Sequence, residues 1–211
     1  NSTELRIVNM GVISNGTTLL DAGALSVATG AMTLIKTLTA SSSATLSFVD
    51  GASSVVLDNT YDSYVFKFIN IHPAAGEYFT FNLSIDSGSN YNVAKTTTMF
   101  NAYHNEADEA NGVAYADGDD LANGTAFQHL RAGRTGTGND QCLSGTLTLF
   151  DPSSTTFVKH FSSVVSNLEN DYQGHSFMDG YANTTSAVDA VRFQMSSGNI
   201  DSGTIKLYGI S

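Results

Sequence analysis

From Met32 onward, apolar side chains recur at alternate positions in short runs broken by clusters of Gly, Ser, Asn and Asp. A period of two is the signature of strands with one face buried. Met32–Ala40 and Ala44–Val49 are expected as strands separated by Ser41-Ser42-Ser43, the second placing Leu46 and Phe48 on one face. Tyr64–Ile71 is apolar on both faces, with Tyr64, Phe66 and Phe68 opposite Val65 and Ile69, which marks a central strand. After Pro73, Tyr78–Ile85 alternates, with Phe79, Phe81, Leu83 and Ile85 inward and Thr80, Asn82 and Ser84 outward. Phe127–Ala132, Cys142–Phe150, Thr156–Val165, Gly174–Ala182, Ala190–Ser196 and Gly203–Ser211 bring the series to roughly ten strands, with no run that makes a convincing helix.

Two of these strands open alike, Gly145-Thr146 and Gly203-Thr204, and the turn sequence Ile-Asp-Ser-Gly occurs at both Ile85–Gly88 and Ile200–Gly203. Such spacing predicts an all-β fold, an antiparallel jelly-roll-like β-sandwich over residues 32–211. Residues 1–31 sustain no period and are expected as an extended N-terminal arm, an attachment segment that packs on a neighbouring subunit. Residues 104–125, rich in Asn, Asp, Glu, Ala and Gly, are expected as one long loop. Loss of Gly203–Ser211 should abolish folding, because it removes Ile205, Leu207 and Ile210 from the core.

Composition narrows the class. Of 211 residues, 41% are hydrophobic but only 14% are charged, well below the usual quarter. Ser, Thr, Asn and Gly supply the polarity instead, as in extracellular and virion β proteins. The net charge of −11 and scattered basic residues argue against a nucleic-acid or anionic-membrane partner. No apolar run approaches the length of a membrane-spanning helix. Cys142 is the single cysteine, so an internal disulfide and a thiolate metal cluster are both excluded, and it is expected as a small core hydrophobe.

Candidate chemistry is sparse. No Gly-x-Ser-x-Gly elbow occurs, Cys142 has no local nucleophile signature, and the chain has no tryptophan to floor a sugar-cleaving cleft around Glu77, Glu106, Glu109 or Glu169. The expectation is therefore a protein that is not an enzyme and has no catalytic or cofactor-binding residues. His104, Glu106 and Asp108 stand at alternate positions, and Asp117, Asp119 and Asp120 offer hard oxygen ligands; Ca²⁺ is the candidate ion, although the spacing is not that of an EF-hand. His160 and His175 are expected as ordinary strand histidines, His160 half-buried. Tyrosines near loops, with the acidic 104–125 stretch, would form the site of a carbohydrate-binding (lectin-like) module.

At Phe150–Ser162 and again at Tyr181–Ile210 the chain resembles the C-terminal β domains of virion structural and tail-fibre proteins of tailed bacteriophages, especially those of marine bacteria and cyanobacteria. The likeness runs from about Met32 to the end and brings no catalytic motif with it. It implies a non-enzymatic structural protein on the virion surface: a capsid decoration, head-fibre or tail-fibre component. It also implies a homotrimer, joined to other capsid or tail proteins through the N-terminal arm, with a host surface glycan as a further partner.

Overall fold

The computed structural model describes residues 32–211 throughout and, ahead of them, three short strands: β1 (Val12–Ser14), β2 (Thr17–Asp21) and β3 (Ala24–Leu25). The chain divides into two compact units between Thr33 and Leu34. In the first, the three strands form a small antiparallel sheet in sequence order, with Ser14 opposite Thr17 and Leu20 opposite Leu25. The rest of 1–31, and with it the expected attachment arm, lies outside the described residues.

The second unit is a β-sandwich of two antiparallel sheets. Its strands are β4 (Met32–Ser43), β5 (Leu46–Val49), β6 (Ser63–Pro73), β7 (Phe79–Ser84), β8 (Lys95–Asn105) and β9 (Asn111–Tyr115), followed by β10 (Gln128–His129), β11 (Leu143–Phe150), β12 (Lys159–Glu169), β13 (Tyr172–Ala182), β14 (Ala190–Met195) and β15 (Ile200–Ile210). One sheet has the order β10-β7-β14-β5, the other β4-β15-β6-β11-β12-β13-β8-β9. The chain crosses between sheets after β4, β5, β6, β7, β9, β10, β13 and β14. That wrapping is jelly-roll-like, with the meander β11-β12-β13 filling one strand position of the larger sheet.

Phe193 of β14 is the hub of the core. Its ring lies 5.2 Å from Phe66, 5.3 Å from Phe68, 6.0 Å from Phe79 and 6.2 Å from Phe48, mostly in tilted or edge-on contact. Rings from both sheets therefore interlock around one side chain, and such geometry adds to simple burial. Ile205 and Leu207 of β15 are fully buried in the same core, Ile210 is only partly buried at the strand's end, and β15 lies between β4 and β6.

Several expectations are refined. β7 has no solvent face: Thr80, Asn82 and Ser84 are as buried as Phe79, Phe81 and Leu83, and Ile85 is the exposed residue. Loops cover the polar side, since Asn82 Nδ2 donates to the carbonyls of Tyr91 and Thr125 at 2.7 and 3.0 Å. The long loop 104–125 contains an edge strand, β9, which pairs with β8 through a turn capped by Asn105 Oδ1; that oxygen accepts from the backbone N–H groups of Glu109 and Ala110. Cys142 is partly exposed beside Asn70 rather than in the core. On β12, Lys159 and Phe161 face inward, which turns His160 out to solvent.

Candidate binding face

Strict alternation along β11, β12, β13 and β8 sends one set of side chains into the sandwich and the other onto the open face of the larger sheet. Antiparallel register then lines the outward set up in rows across strands. Val164, Phe177, Phe100 and Tyr115 form one row, and Ser166, His175, Ala102 and Val113 the next. Phe100 and Phe177 stack at 4.8 Å with planes 12° apart, and His175 leans on Phe177 at 4.5 Å. Phe100 is 45% exposed and Tyr115 57% exposed, so this stacked platform meets water.

Beyond it, the rows Ser162–Asp179–Thr98 and His160–Tyr181–Thr96 border a surface groove of about 330 Å³. Phe150 also lines it, the rings of His160 and Tyr181 lie 6.1 Å apart, and Asp179 and Thr98 are exposed. Aromatic rings beside hydroxyls and one carboxylate, all carried on paired strands, suit a ligand with an apolar face and hydroxyl edges.

A larger cavity of about 390 Å³ lies at the other end of the sheet, lined by His72, Asp140, Cys142 and Asp201 among others. His72 turns one ring nitrogen to Gly138 O at 3.2 Å and the other toward Asp201 at 3.7 Å. The nearest partner of the Cys142 sulfur is Asn70 Oδ1, at 3.8 Å. Neither ring nitrogen of His72 is therefore directed at the thiol as a general base would be.

The six candidate metal ligands fall into separate pairings. His104 Nε2 lies 2.9 Å from Asp108 Oδ1 across the β8–β9 turn, in which Glu106 is exposed. Residues past Tyr115 run on toward the opposite end of β8, where Thr97 N donates to Leu121 O. There Asp117 is exposed, Asp120 accepts from the Tyr115 hydroxyl, and Asp119 is held by His129 Nδ1 at 2.7 Å and by Gly133 N at 3.2 Å. Among the described residues, no three His, Cys, Asp or Glu side chains gather as a metal-binding group. Tyr115, the tyrosine of this loop, donates its hydroxyl to Asp120 and stands at the end of the row of Phe177 and Phe100.

Three polar groups buried behind these surfaces carry no motif in the sequence. Arg131 Nη2 meets Glu169 Oε2 at 2.9 Å, while burial holds its guanidinium below its ordinary pKa. Lys159 Nζ donates to the carbonyls of Phe157 and Thr184, and burial likewise lowers its pKa. Lys95, at the inner start of β8, is 0% exposed; its Nζ lies 2.5 Å from Asn82 Oδ1 and 2.8 Å from Val93 O, and burial pushes its pKa down to about 7. Inward parity with Thr97 and Met99 is the one sequence signal that could have placed Lys95 inside.

Comparison of the chain with protein-family models, with curated proteins and with solved structures finds no match.

Proposed function

We propose that the chain is a non-enzymatic bacteriophage virion structural protein, a homotrimeric surface appendage with its β-sandwich displayed outward. The observation that carries this reading is the open face of the larger sheet: stacked, solvent-exposed aromatic rings on rigid strands, a surface built for contact rather than turnover. The segments of phage resemblance, Phe150–Ser162 and Tyr181–Ile210, cover the β11–β12 connection with the start of β12, and the whole of β14 and β15. The polar, acidic composition with one thiol accords with life on an extracellular particle. The test is a density map of purified particles that contain this chain. The expected result is three copies projecting from the capsid or tail; particles that lack the chain while infected cells contain it would overturn the reading.

A second reading, a carbohydrate-binding module for host-surface recognition, is favoured by the groove between Phe150, His160, Tyr181 and Asp179. A sugar ring stacking on Tyr181 would place its hydroxyls toward Asp179 and Thr98. Binding on a glycan array that Tyr181→Ala and Asp179→Ala abolish, with the melting temperature kept, is the expected result. A blank array, with and without Ca²⁺, would remove it.

A further inference from the structure

The side chains of Lys95 and Asn82 meet in a way that a simple hydrogen bond leaves unexplained. A buried ammonium is costly and is normally compensated by a carboxylate. Lys95 is fully buried, yet among the described residues no carboxylate lies within ion-pair distance of Nζ. Its partners are neutral oxygens, one of them in a side-chain carboxamide that is itself fully buried. The carboxamide is held on all sides: Nδ2 donates to the carbonyls of Tyr91 and Thr125, and Oδ1 accepts from Leu83 N at 2.8 Å as well as from Lys95.

We propose that Lys95 and Asn82 form an intramolecular isopeptide bond that ties the two sheets of the sandwich together. An amine packed against a carboxamide in a dry site has the elements of acyl transfer: a nucleophile, an electrophilic carbon, and a backbone N–H on the oxygen that gathers charge. The amine must first be neutral, and burial favours that form at physiological pH. Nζ then attacks Cγ of Asn82, and the carbonyl electron pair moves onto Oδ1, where Leu83 N–H stabilises it. As the carbonyl reforms, the Cγ–Nδ2 bond breaks; Nδ2 takes a proton from Nζ and leaves as ammonia. One C–N bond replaces another, no redox change occurs and no co-reactant is consumed.

The bond would join β7 of the four-stranded sheet to β8 of the eight-stranded sheet. It would also relieve the burial penalty, because an amide carries no charge. Lys159 is the internal comparison: its buried amine meets only backbone carbonyls and should stay free.

The test starts from the wild-type chain. Its intact mass in denaturant, after incubation of the folded protein above neutral pH, should be lower by one ammonia than the sequence requires. Trypsin should then fail to cut after Lys95, and a second protease cutting between Ile85 and Val93 should leave two fragments joined through Lys95 and Asn82. Asn82→Ala and Lys95→Met should each have the full mass expected of their sequence. Loss of ammonia without a branched fragment would place the change at a succinimide, and full mass after prolonged incubation would mean a lysine that remains free; either result overturns the proposal.

Discussion

Tyr78 and His129 stack face to face, ring centroids 4.1 Å apart and planes within 14°, while His129 Nδ1 lies 2.7 Å from Asp119. One imidazole thus ties the start of the four-stranded sheet to the loop that follows β9. His129→Ala removes the stack and leaves Asp119, a half-buried carboxylate, with fewer donors. The expected cost is about 1–3 kcal/mol in urea unfolding, with Tyr78→Phe close to neutral because the ring remains.

Arg131 and Glu169 should respond unequally to substitution. Arg131 is buried and, among the described residues, its side chain bonds only to Glu169, which is itself about one-third exposed. Glu169→Gln leaves a charged guanidinium in the interior without its counter-ion. Arg131→Met leaves a carboxylate that can turn to water. Glu169→Gln should therefore lower the denaturation midpoint more than Arg131→Met; the reverse order would show that the pair is held by packing.

Gly203 adopts φ +118°, and a Cβ there would lie 2.6 Å from the Asn70 carbonyl oxygen. It sits where the β15–β6 register shifts between Ser202 and Thr204, a bulge opposite Asn70, which itself has positive φ. Gly203→Ala combines a backbone conformation that L residues avoid with a clash against a paired strand. A loss of roughly 1–3 kcal/mol is expected by calorimetry, whereas Gly51→Ala, with positive φ but open space, should lose less.

The free Lys95 amine carries a pH signature of definite sign. Its folded-state pKa is about 7, against an ordinary 10.5. Between those values the unfolded chain binds a proton that the folded chain does not, so stability rises with pH across that window. Below it both states are protonated and the full burial penalty stands. An Asn82→Ala chain, which cannot acylate the amine, should gain stability from about pH 7 to 10 relative to Asn82→Ala/Lys95→Met. The crosslinked wild type should show no such gain from this residue.

Most of the sandwich was legible because alternation survives wherever one face is buried: Leu46 and Phe48, or Met178 between outward Phe177 and Asp179, declare their sides. β9 was hidden because Asn111-Gly-Val-Ala-Tyr pairs along one edge only and leaves Val113 75% exposed, so no apolar face is required of it. The outward assignment of Asn82 erred because loop carbonyls, rather than water, satisfy its amide. His160, expected half-buried, is exposed because parity with Phe161 gives the inward face of β12 to Lys159 and Phe161. The platform of Phe100 and Phe177 draws on residues far apart in sequence that only strand register unites.

The placement of β15 between β4 and β6 orders events during synthesis. Thr39 approaches Thr204 across 165 positions of sequence, so β4 has no partner in its own sheet, and β6 only one, until residues 200–210 have been made. The aromatic cluster around Phe193 is therefore left uncovered on a nascent chain. Folding of the sandwich is a late, all-at-once closure, slow for its size and dependent on protection from aggregation in the interval.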